Sequence, residues 1–112
     1  MTKVEIFGRS VNVRMSMATL IAYEELAGEP LNFGGMTSAK SQYSLCVAAI
    51  TSAKQETPLE DDFFDRLLND ATIDEIAALN EAVAQEAAIF YKIPNVIKGE
   101  EKEKEKEKDA NP

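Results

Sequence analysis

The chain has 112 residues, with 12 basic and 20 acidic side chains, no histidine and one cysteine. That length fits one domain with a modest core, and the excess of acid argues against a phosphate-tracking nucleic-acid surface. Without histidine it lacks the usual general base near neutral pH and the commonest transition-metal ligand, and a lone cysteine excludes an intramolecular disulfide.

Lys3 to Phe7 reads as a strand with Val4 and Ile6 on one face and Phe7 at the bend. Gly8, Arg9 and Ser10 separate it from a second strand, in which Val11, Val13 and Met15 alternate with Asn12, Arg14 and Ser16, so a hairpin is expected. A lone hairpin is marginal in water. It must lie against helices or be extended by a strand from another chain.

From Met17 the alternation gives way to helical spacing through Met17, Leu20, Ile21, Tyr23 and Ala27. Ser16 is placed to cap this helix, and Gly28 followed by Pro30 stops it. Glu24 falls between Leu20 and Ala27, either at the margin of the buried face or against a specific donor. Gly28 to Thr37 reads as a loop, although Leu31, Phe33 and Met36 are apolar enough to pack or to form a contact surface. Its Gly34 and Gly35 lack the Lys-Ser or Lys-Thr ending of a phosphate loop.

A second helix, capped by Thr37 or Ser38, places Ala39, Tyr43, Cys46, Val47 and Ile50 on one side and the small Ser44, Ala48 and Ser52 on the other. The first side is expected to be buried, and the second to permit close approach by another helix. Two further helix starts carry the same signature: Thr57-Pro58-Leu59-Glu60 and Thr72-Ile73-Asp74-Glu75 each supply a hydroxyl cap and a glutamate three residues on. The third helix then presents Leu59, Phe63, Phe64, Leu67 and Leu68. The fourth, from about Ile73 to Tyr91, carries a seam of Ile76, Leu79, Val83, Ala87 and Phe90, with Pro94 limiting it.

From Lys98 the chain alternates Glu and Lys with nothing apolar to anchor a core, and it reads as a disordered tail. Five of the basic and six of the acidic residues lie in that tail. Seven and fourteen remain in the body, so the body itself is acidic. The expected organisation is a single globular domain over residues 1–97 and a charged tail over 98–112.

Glu56, Glu60, Asp61, Asp62 and Asp65 are the densest acidic group, but they surround a predicted helix start, where carboxylates are favoured. They match neither the calcium-loop spacing nor its glycine. Cys46 has no histidine to activate it and reads as a small core side chain. No catalytic residue, cofactor or metal is therefore expected. There is no export signal, and no apolar run approaches the ~18 residues of a membrane span, so a cytoplasmic protein without a membrane partner is expected.

The order hairpin, MATLIAYEELAGEPLNF, YSLCVAAI and EDDFFDRLL resembles the small tail assembly chaperones of tailed bacteriophages and prophages. The resemblance covers most of Val4 to Tyr91 and centres on Tyr23, Glu24, Glu25, Ala27 and Gly28, followed by Pro30 and Phe33. This chain has Ala27 where those chaperones commonly have a threonine. The resemblance implies a non-enzymatic protein in the bacterial host cell that holds the tape measure protein, or another phage tail protein, during tail assembly. Self-association is a further expectation for so small a domain.

Together these readings predict an α+β fold: a small N-terminal β-hairpin packed on a mainly α-helical body of about four helices. Phe33, Met36, Phe63 and Phe64 are the candidate protein-binding residues. A structural phage tail or head-tail component is the alternative, and a small acidic inhibitor that mimics nucleic acid is a third reading.

Overall fold

A computed structural model describes residues 1–32 and 38–92. Phe33, Met36, Pro94 and the Glu/Lys tail lie outside the described residues.

The element order is β1 (Thr2–Ile6), β2 (Arg9–Val13), α1 (Met17–Ala27), α2 (Ala39–Thr51), α3 (Phe63–Asp70) and α4 (Ile73–Tyr91). The predicted hairpin and four helices are therefore present. β1 lies on α4, β2 lies chiefly on α2, and α1 packs against α2.

The hairpin is tighter than the sequence implied. Ile6 pairs with Arg9, so Phe7 and Gly8 alone make the turn, and Arg9 and Ser10 belong to β2. Both turn residues have positive φ, 55° and 77°, the conformation whose twist matches that of antiparallel strands. Glycine adopts it freely, whereas a phenylalanine needs support. Phe7 receives it: its ring lies edge-on to Phe63, with centroids 5.9 Å apart, and the Arg66 guanidinium sits 4.2 Å above its centroid. β2 ends at Val13, and Met15 reaches the core from beyond the strand.

Val4, Ile6, Val11 and Val13 form the core-facing side of the hairpin and meet Tyr23, Leu45, Ile50, Phe63, Leu67, Leu79 and Val83. α4 follows its predicted seam, with Leu79, Val83 and Ala87 buried and Ile76 and Phe90 half-buried. On α2, Ser44 and Ala48 of one predicted side are as enclosed as Cys46 and Ile50 of the other, whereas Tyr43 and Val47 are half-buried and Ala39 is exposed. The small-residue side ends at Ser52, whose hydroxyl bonds Thr19 of α1. The close helix approach that those residues permit is thus used within the chain.

α1 keeps only part of its predicted face. Tyr23 is buried and Leu20 and Ala27 are half-buried, but Met17 and Ile21 are exposed, and Thr19 is buried in their place. The helix is apolar nearly all round, so spacing selects no face, and the single neighbour on α2 decides. Glu24 is exposed, which places it at the margin rather than against a buried donor.

α3 begins later than predicted. Residues 57–62 are not helical, and the helix starts at Phe63. The Arg9 guanidinium donates to the Thr57 carbonyl at 2.6 Å and the Pro58 carbonyl at 2.9 Å, two groups that a helix starting at Pro58 would commit to its own first turn. It also pairs with Glu60 at 3.3 Å. At Thr72, by contrast, the capping box forms: the Glu75 N–H donates to the Thr72 hydroxyl at 3.2 Å, and the Thr72 N–H to the Glu75 carboxylate at 2.9 Å.

Candidate protein-binding surfaces

The predicted contact residues divide. Phe63 is 1% exposed and forms part of the core, so its ring is not offered to a partner. Phe64 is half-buried, edge-on to Phe63 with centroids 5.4 Å apart, and its carbonyl accepts a hydrogen bond from the Tyr43 hydroxyl at 3.1 Å. Both residues hold α3 to its neighbours. The apolar surface of α3 is presented instead by Leu68, which is 60% exposed.

Leu68 borders a cleft of about 400 Å³ between α2, α3 and the start of α4. Tyr43 and Cys46 line it from α2, Leu67 and Leu68 from α3, and Ala71 and Ile76 from the α3–α4 junction. Lys40 is the charged residue of the lining. Asp65 lies close enough to Tyr43 to act with burial in raising the phenol pKa. Asp70 and Asp74, exposed near Ala71 in the chain, are not among the lining residues. The sequence showed the apolar stripes of α2 and α3, but not that Leu68 would lie outside the core.

The groups that suggest chemistry are engaged in structure. The Cys46 thiol is pushed up to about 11 by burial and faces the Asn80 side-chain Oδ1 at 3.7 Å, so the reactive thiolate is disfavoured. In the acidic group, Glu56 pairs with Lys3 at 3.0 Å, Glu60 with Arg9, and Asp65 accepts from Asn69. Among the described residues, no cluster of His, Cys, Asp or Glu side chains is placed to hold a metal ion. No described helix is long and apolar enough to cross a membrane.

Three polar residues that sequence reasoning did not single out hold the frame around these surfaces. Thr19 is fully buried and ties the strand-to-helix joint together: its hydroxyl accepts from the Ser16 N–H at 3.0 Å, donates to the Arg14 carbonyl at 3.0 Å and meets Ser52. Glu86, also buried, accepts from the Thr2 hydroxyl at 2.8 Å and pairs with the Met1 amino group at 3.7 Å. Gln55 spans to Asn12, donating to its carbonyl and accepting from its N–H, each at 2.9 Å. Glu86 was the one with a readable signal. It falls in register with Glu75, Leu79 and Ala82 on one side of α4.

Against this geometry the chain was compared with known proteins. No protein-family model, curated protein or solved structure matches it. The surfaces described above are therefore interpreted from their own chemistry.

Proposed function

We propose that this protein is a tail assembly chaperone of a tailed phage or prophage, which holds the tape measure protein while the tail is built. The observation that carries the reading is the apolar cleft between α2, α3 and α4 with Leu68 exposed at its border. A long helical client exposes apolar stripes before assembly, and such a stripe suits an apolar groove between helices. The acidic body, with fourteen acids to seven bases before Lys98, keeps the loaded complex self-repelling and soluble. The sequence resemblance through Tyr23, Glu24, Glu25 and Gly28 supports the same reading from outside the cleft.

Co-expression with a tape measure fragment tests it. The fragment is expected to stay soluble and to co-purify with the protein, and Leu68→Asp is expected to abolish that protection while leaving the chaperone folded. Continued precipitation of the fragment at excess wild-type protein overturns the proposal.

A further inference from the structure

The two edges of the hairpin are treated differently. On β2, the Asn12 N–H and C=O both bond the Gln55 side chain, the Ser10 carbonyl accepts from Arg9 Nε at 3.3 Å, and the Arg14 N–H just beyond the strand donates to the Ala49 carbonyl at 3.1 Å. That edge is closed. Because Asn12 directs its main-chain groups away from β1, its partner Lys3 directs its own away from β2, and Glu5, opposite Ser10, does the same. Beyond the end of β1, the Phe7 N–H is taken by Glu75 at 3.1 Å. Among the described residues, nothing bonds the outward N–H and C=O groups of Lys3 and Glu5.

An unpaired strand edge is a template for another strand. Beside this one runs an open cleft of about 400 Å³, floored by Ala78 and Ala82 of α4 and flanked by Glu81 and Gln85. Small side chains leave room there for an added strand.

We propose that β1 of a second copy fills this edge, antiparallel to the first, about a two-fold axis at Val4. The sequence Thr2-Lys3-Val4-Glu5-Ile6 is self-complementary in that register. Lys3 of each copy lies opposite Glu5 of the other, and each such pair exchanges both of the main-chain hydrogen bonds left open in the monomer. Val4 meets Val4 on the side facing α4. The two hairpins become one four-stranded sheet with β2 at both outer edges, where Gln55 already closes it. The existing Lys3–Glu56 pair is exposed at both ends, so exchanging it for Glu5 of the other copy costs little. A parallel alignment, or one centred on Lys3 or Glu5, loses the acid–base match, and this favours a second copy in the stated register over an arbitrary extended segment. The proposal is independent of whether the client is a tape measure protein.

Sedimentation equilibrium on the full chain tests it. The wild type is expected to be a dimer, and Lys3→Glu and Glu5→Lys are each expected to weaken self-association roughly tenfold or more, because each sets like charges opposite one another twice. Mixing the two variants restores acid against base at both pairs, so the mixture is expected to associate about as tightly as the wild type. A wild type that stays monomeric up to about millimolar concentration overturns the proposal, even if it binds an extended peptide from another protein. Single variants that dimerise normally, or folded variants that fail to associate on mixing, also overturn it. Amide exchange on the wild type reads the same edge without substitution: the Lys3 and Glu5 amides should gain protection as concentration rises, and unprotected amides in a dimeric sample refute the arrangement.

Discussion

Thr57-Pro58-Leu59-Glu60 and Thr72-Ile73-Asp74-Glu75 carry the same capping signature, yet only the second folds as a helix start. Both segments reach the hairpin turn, and the manner of attachment separates them. Arg9, on one side of the turn, takes the main-chain carbonyls of the first segment, which diverts groups that a helix would need. Phe7, within the turn, donates its N–H to the Glu75 carboxylate of the second, which leaves the helix main chain intact and uses the oxygen that the capping box spares. A local helix signal survives a tertiary contact to its side chain and is overridden by one to its backbone.

The largest expected effect comes from Arg9. Its side chain is only 16% exposed, and Arg9→Ala removes a charged donor from two carbonyls, at a cost of roughly 1.5–3 kcal/mol in denaturant unfolding. The released segment should also gain helical chemical shifts between Pro58 and Asp62. If the segment stays non-helical, the carbonyl-diversion account is wrong. Thr72→Ala ranks next, with a loss of about 1 kcal/mol for a working cap.

Glu75→Gln should cost less, and its cost should depend on pH. The Glu75 carboxyl is held below its ordinary value of 4.5, first by the Thr72 N–H and then by the Phe7 N–H. A lowered folded-state pKa contributes stability above the unfolded value and loses it as pH falls through the folded one. The difference between wild type and Glu75→Gln should therefore be full at pH 7 and shrink below about pH 4.5. A difference that is flat with pH would detach Glu75 from the turn. Thr57→Ala closes the series. Its hydroxyl makes no hydrogen bond among the described residues, so unfolding should shift by less than about 0.5 kcal/mol.

The same contrast shows how much of the fold was legible. Elements held by their own side chains were readable: Ser16 and Gly28 bound α1, Ser38 caps α2 through the Ser41 N–H, and α4 runs from Ile73 to Tyr91. Features decided by a distant partner were not. Arg9 delays α3 from a position some fifty residues away, and packing on α2 turns Met17 and Ile21 outward. The candidate cleft was half legible for the same reason. Its lining residues lie on readable stripes, but packing decides that Leu67 rather than Leu68 enters the core, and the β2 edge is closed, leaving that of β1 open, by a glutamine in a connecting segment that carries no pattern.

Glu75 and Glu86 bind opposite ends of the first strand, one at the Phe7 N–H and the other at the Thr2 hydroxyl. The helix rises about 16 Å between those two carboxylates, and the strand advances about the same distance from Thr2 to Phe7. Strand and helix are therefore commensurate, like two scales that agree at both end marks. Substitutions between the marks leave that agreement untouched. Inserting or deleting one residue there turns Glu86 by about 100° around the helix and releases one end of the strand. This stretch of α4 is expected to tolerate changes of side chain far better than changes of length.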